Sequence, residues 1–275
     1  MTARSAGSSG QGVLIVGTNR AADLPLLNDR RLAQSDQGNA DTRAAFYSRL
    51  ETLMGTPDQV TSLNGRVAAL TSALTAAVSH PESEPGLSTV VSAAKSLVSS
   101  ISATSKDIQA ARKDADHEIA SEISQLNDSL EKAYKLNLQI FKSAGTGKDT
   151  SALQDQRQQI IDQIAQIVPL REVQQMDGSV SLYTTGGAVL LDSKPAVFGF
   201  TATSVIVPAM TQQAGGLSGL TLNGRSIVTS GESSVILGGS LAANFAVRDD
   251  IAPAAQAQVD SVARDLVERF QDTRV

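Results

Sequence analysis

The stretch LSTVVSAAKSLVSSISATSKDIQAARKDADHEIASEISQLNDSLEKAYKLNLQIFKSA, Leu87 to Ala144, decides the architecture of this chain. It contains neither proline nor glycine, and its apolar residues recur in steps of three and four: Leu87, Val91, Ala94, Val98, Ile101, Ile108, Ala115, Ile119, Ile123, Leu126, Leu130, Ala133, Ile140 and Ala144. That spacing predicts one helix packed along its whole length. Two consecutive steps of four, Ala115 to Ile119 to Ile123, act as a stutter that relaxes any supercoil. At the helical rise the rod is roughly 85–90 Å long. Ser105, Arg112 and Asn137 fall on the same seam, so it is not a dry zipper. Such a rod suits a strut in an elongated protein better than an ordinary bundle.

Helical spacing extends to both sides of the rod. Leu26 to Leu53 reads as a helix ended by Gly55-Thr56-Pro57. Thr56 is positioned to cap the next helix, with Pro57 first and Gln59 as capping-box partner. That helix carries Leu63, Val67, Leu70, Leu74 and Val78 on one face, and His80 to Gly86 is the loop into the rod. Gly145 to Thr150 connects the rod to a helix over Ser151–Ile167, whose shortness favours an antiparallel return. Upstream, Met1 to Gly12 reads as disorder, and Val13 to Val16 as a short apolar arm.

From Pro169 the texture changes to short β-branched runs divided by turn residues. Leu170 to Gln175 and Val180 to Thr184 flank Asp177-Gly178, and Leu220 to Leu222 and Ile227 to Thr229 flank Asn223-Gly224; both read as hairpins. Ala188–Leu191, Val197–Phe200 and Val205–Val207 add further strands, giving a small sandwich-like or barrel-like β-domain with its own core. Helical spacing returns near Asp250–Pro253, with Ala255, Val259, Val262, Leu266 and Phe270 on one face. That face needs a partner, and the earlier helices supply it. The expected fold is therefore α+β and multidomain, an elongated helical bundle with one very long helix and an inserted all-β domain. Its divisions are a disordered 1–12, a discontinuous helical domain of 13–168 and 251–275, and a β-domain of 169–250.

Composition limits the chemistry. The 275 residues include 41% hydrophobic but only 3% aromatic residues, with no tryptophan and no cysteine, and the net charge is −5. Disulfides, thiol catalysis and cysteine metal sites are excluded, and no basic patch interleaved with aromatics points to nucleic acid. No apolar run is long enough for a membrane span. Gly145-Thr146-Gly147-Lys148-Asp149-Thr150 has the wrong spacing and context for a phosphate loop. Asp114, Asp116, His117 and Glu118 cluster on the rod, and a solvated helix face explains them better than a metal does. His80 has no motif around it. Arg248-Asp249-Asp250 reads as helix-start electrostatics, and Gly186-Gly187 and Gly238-Gly239 read as strand breaks. The expectation is a non-enzymatic chain with no catalytic, cofactor-binding or metal-ligating residues.

Five pieces of the chain, in order, resemble the first hook-associated proteins of bacterial flagella, the FlgK family of hook–filament junction proteins. They are Gly12–Gly17 with Arg20, Asp23 and Leu26-Leu27; Leu126-Asn127 with Leu136-Asn137-Leu138-Gln139-Ile140; Leu153–Arg157 with Ile160-Ile161; Asp177–Val180 with Gly187–Leu191; and Gly238–Leu241 with Arg248-Asp249 and Pro253–Gln256. The resemblance implies a structural subunit linking hook to filament, in contact with other copies of itself, the hook protein and the third hook-associated protein. It also implies export unfolded through the flagellar type III apparatus, without a cleaved signal peptide, to an extracellular flagellum. The family's terminal polymerisation segments have no counterpart here. A central fragment, monomeric in solution, is therefore expected, with any export-chaperone site in a missing C-terminal segment. Flagellin, the third hook-associated protein, and an adhesin with a helical stalk and a ligand-gripping β-head are the alternatives.

Overall fold

The computed structural model describes residues 23–56, 58–231 and 233–271. The expectations for Met1–Gly12, Val13–Val16 and Pro57, and the motif Gly12–Gly17 with Arg20, lie outside the described residues.

Helix α1 (Leu24–Met54) is capped by Asp23, whose side chain accepts from the Leu26 amide. α2 (Leu63–Ser79) begins later than expected, because residues 58–62 close turns of their own and Ser62, not Thr56, caps the helix by accepting from the Gly65 amide. α3 (Glu84–Ala144) is the predicted rod, 61 residues in one helix, with Ser83 as its cap. α4 (Ser151–Ile167) returns against it.

The rod's seam is correct from Ile101 onward, where Ile108, Ala115, Ile119, Ile123, Leu126, Leu130, Ala133 and Ile140 are all buried. Over its first four turns the seam is rotated. Leu87, Val91 and Val98 are about half exposed, whereas Leu97 is buried with Val90, Ala93 and Ala94 packed nearby. The reason is α2, which lies on that other stripe through Leu63 and Leu70. With one short helix as partner, its position rather than the heptad phase selects the buried face.

The β region forms two open antiparallel sheets, not a barrel or sandwich. The first joins β1 (Leu170–Gln174), β2 (Val180–Thr184) and β3 (Val189–Leu191) in that order; the second joins β4 (Phe198–Gly199), β5 (Leu220–Leu222) and β6 (Arg225–Ile227). Both Gly-containing hairpin turns stand as read, with Asn223 at φ 51° and Gly224 at φ 78° in the second. Val205–Val207 is irregular chain within a strandless stretch from Phe200 to Gly219. The β core is not separate: Leu170, Leu182, Leu190, Phe198 and Leu220 share one cluster with Ile123, Leu126 and Leu130 of α3 and Ile161 and Ile164 of α4. Sheets this small have too little apolar area to be stable alone.

Helical structure returns at Gly239, well before Asp250. α5 (Gly239–Ala246) passes through a π-helical turn (Val247–Ile251) into α6 (Ala252–Gln271). Gly239 has φ +73°, and a Cβ there would lie 2.1 Å from the Ile167 carbonyl oxygen, so only glycine fits this approach to the end of α4. α6 runs back along the rod: Val259 is buried against Phe46 and Ile108, and Leu266 packs with Leu97 and Leu70, while Val262 remains 37% exposed.

Candidate functional site: the docking face of the long helix

The polar residues on the rod's seam are its attachment points. A side-chain amide has the same donor and acceptor pair as a peptide group, so one asparagine can satisfy both the N–H and the C=O of a strand residue. Among the described residues this happens three times. Asn137 of α3 donates to the Val180 carbonyl (2.8 Å) and accepts from its amide (3.2 Å). Asn127 does the same at Phe198 of β4, at 2.8 and 2.9 Å. Asn28 of α1 brackets Glu172 of β1, at 3.3 and 3.0 Å. The two rod asparagines, ten residues apart, seat β2 and β4 about 15 Å apart along the helix. Asn137 is itself held by Arg157 of α4, whose Nη1 donates to Asn137 Oδ1 and to the Gly178 carbonyl.

Buried charges fix the irregular segment. Arg112, 1% exposed, donates from Nε to the Arg248 carbonyl and from Nη2 and Nη1 to the Met210 and Val207 carbonyls. One turn on, Asp116 accepts from Arg248 Nη1 (2.7 Å) and from the Thr203 amide. Both partners of that pair have fully buried side chains. The π turn presents Arg248 inward, where it also grips Asp249 and the Ser218 carbonyl and lies over the rings of Phe200 and Phe245. Burial opposes the Arg248 charge, but Asp249 and Asp116 outweigh it and raise its pKa. Burial holds the Arg112 pKa below its usual value, partly offset by Asp249. Burial also raises Asp250, with Asp249 adding to it. A second buried pair, Arg31 with Glu172 (2.6 Å), ties α1 to β1, and Arg31 also reaches Asp162 and Gln158 of α4.

The residues weighed for chemistry are dispersed. Asp114 pairs with Arg49 of α1 at 2.9 Å, Asp116 turns into the core, and His117 and Glu118 face solvent. Arg248-Asp249-Asp250 does not start a helix but lies in the π turn inside a longer one. Gly145–Thr150 is the connector between α3 and α4, with Asp149 accepting from the Ser151 amide and hydroxyl. Gly186-Gly187 is a turn between β2 and β3, and Gly238-Gly239 opens α5. Among the described residues, no group of three or more His, Cys, Asp or Glu is arranged to hold a metal ion, and no helix is long and apolar enough to cross a membrane. Sequence reading misses Asn28 and Glu122 altogether, and takes Arg31 only as a mark of the first helix. Asn137 sits on the apolar seam, where a polar residue is itself the signal of a specific contact, whereas Asn127 lies beside the seam and carries no such signal.

Residues 47–274 match the family model described as the flagellar hook-associated protein FlgK helical domain. Flagellar hook-associated protein 1 of Salmonella typhimurium is 27% identical over 197 residues, covering 71% of this chain and 35% of that protein. The protein of the same name from Bacillus subtilis is 23% identical, covering 69% of this chain and 37% of its own length. The chain thus spans little more than a third of these relatives. The solved structure of the flagellar hook junction protein FlgK from Burkholderia pseudomallei superposes with a TM-score of 0.64 over 80% of this chain and 39% of that one, at 18% identity. A match of this extent to the family model, with the same fold in that solved structure, means that the chain belongs to the FlgK family of flagellar hook-associated proteins.

Proposed function

We propose that this chain is a structural, non-enzymatic part of the bacterial flagellum, acting at the junction where the hook meets the filament. The observation that carries this reading is the use of the rod. Buried Arg112, Asp116 and Asn137, with half-buried Asn127, each hold another part of the same chain to it. A scaffold so occupied transmits force rather than turning over a substrate. In this reading the insertion begins at residue 169 and ends at 238, earlier than the expected 250, because α5 rejoins the helical layer at Gly239; its strands share the core of the discontinuous helical domain. The partners are further copies of the protein, the hook protein and the third hook-associated protein, and an export chaperone acts before secretion. The absence of cysteine suits a chain threaded unfolded through a narrow export channel to the cell exterior. The family match and shared fold favour this reading over an adhesin.

Deletion of the encoding gene tests it. The expected strain assembles hooks but no filaments, releases flagellin into the medium and does not swim; a plasmid copy of the full gene restores filaments. Normal filaments on the deletion strain would refute the assignment.

A further inference from the structure

Among the described residues three carboxylates are almost fully buried: Asp116 at 0%, Glu172 at 4% and Glu122 at 6% exposure. The first two each face an arginine, Arg248 and Arg31. Glu122 faces none. Its neighbours on α5 are neutral: Asn244 Nδ2 donates to Glu122 Oε2 at 3.1 Å, and the Ser240 hydroxyl is within hydrogen-bond reach. Ser240 has a single hydrogen, and both the Gln166 carbonyl of α4, at 3.3 Å, and the Glu122 carboxyl are within its reach. A protonated Glu122 carboxyl can donate to Ser240 Oγ and leave that hydrogen to Gln166, whereas an ionised one draws the hydrogen to itself.

We propose that Glu122, Ser240 and Asn244 form a pH-sensitive latch, in which the protonated carboxyl holds α5 on the rod and its ionisation loosens that seat. In the acid form a relay runs from Glu122 to Ser240 to the Gln166 carbonyl, tying α3, α5 and the end of α4 together. Ionisation turns the Ser240 hydroxyl toward the carboxylate, frees the Gln166 carbonyl and leaves a charge in a cleft where Phe46, Ala115 and Val247 stand beside Arg49, Asp114 and Glu118. α5 is where the chain re-enters the helical layer, and Asn39 of α1 also holds its first residue through the Gly239 carbonyl.

The charges facing this contact do not supply a counter-ion. On α3, Glu118 repels the ionised form, and Asp114 is already bound by Arg49. Arg49 is the α1 cation that lines the cleft, and its Nε and Nη2 are taken by Asp107. α5 and α4 face Glu122 with Ser240, Asn244 and Gln166. In the π turn, Arg248 and Asp249 are paired with each other, and Arg43 of α1 acts on Asp250. Burial pushes the Glu122 pKa from 4.5 up to about 7, against the hydrogen bonds of Ser240 and Asn244, which favour the ionised form. With a raised folded-state value the closed form binds the extra proton between those limits. The latch is therefore tightest at low pH, weakens as pH rises toward 7, and changes little above it.

Native-state amide exchange of residues 240–246, corrected for intrinsic rates, tests the latch. From pH 5.5 to 8.5 the opening constant of α5 should rise about 30-fold and level off above pH 7. Glu122→Gln should abolish the rise, and amides of α2 should show none in either protein. A flat profile in the unmodified protein, or a rise that persists in Glu122→Gln, would overturn the proposal. Carbon NMR titration of the Glu122 carboxyl in the unmodified protein provides a second reading should the variant fail to fold. A midpoint between 6 and 8 is expected, and one below about 5.5 refutes the latch.

Discussion

Replacing Arg248 by methionine keeps the length and apolar body of the side chain but removes its charge. Arg248 and Asp116 are both fully buried, so the variant leaves the Asp116 carboxylate inside the protein with the Thr203 amide as its remaining partner among the described residues. Stranding one member of a buried pair typically costs about 3–5 kcal/mol, and the contacts over Phe200 and Phe245 are lost with it. We expect a loss of about 4 kcal/mol in urea denaturation followed by circular dichroism. For a chain of this size that corresponds to roughly 8–16 °C in Tm. The double variant Asp116→Asn with Arg248→Met should recover at least half of the loss, because a neutral amide can remain buried at the Thr203 amide. The damage should be local first: the segment from Phe200 to Gly219, held through Thr203, Ser218, Val207 and Met210, should become the earliest site of limited proteolysis. A loss below about 1 kcal/mol, or a double variant no better than the single one, would show that the pair does not organise the segment.

Asn137→Leu should cost about 2–4 kcal/mol, since it leaves the Val180 amide and carbonyl and one Arg157 donor bond without their partner; a thermal melt shifted by less than the error would contradict the bracket's role. Leu266→Ala should cost about 1–2 kcal/mol, below the usual range for a fully buried leucine because the site is only partly covered. As the β region shares its core with the rod, one joint unfolding transition is expected, and separate helical and β transitions would refute that sharing. Gly239→Ala, at φ +73° and 2.1 Å from a carbonyl oxygen, should destabilise by at least about 3 kcal/mol. Gly187→Ala, at φ +86° with open space around it, should cost only about 1–2 kcal/mol, as denaturation midpoints would report.

The legible parts of the fold were those set by local chemistry. The rod followed from sustained spacing without breakers, and the two tight hairpins from Asp177-Gly178 and Asn223-Gly224. The docking of α6 followed from Val259 and Leu266 needing a neighbour. What stayed hidden depended on partners distant in sequence. The burial of Leu97 in place of Val98 is decided by where α2 lies. The early start of α5 is decided by the approach of Gly239 to Ile167. Arg248-Asp249-Asp250 looked like a helix start because nothing local shows that Asp116, 132 residues away, receives Arg248. Asn127 and Asn137 stood out as a pattern, but their role needed the strands that they bracket. Glu122 gave no local signal, since its state depends on the absence of a cation from three separate helices.

The central claim, a structural role where hook meets filament, is tested most directly by location. Antibody raised against this chain, gold-labelled and imaged by electron microscopy on intact flagella of the source bacterium, should mark a single narrow band between hook and filament. On a filament-less strain it should mark the hook tip. Label spread along the filament, or over the cell body with the junction bare, would contradict the account.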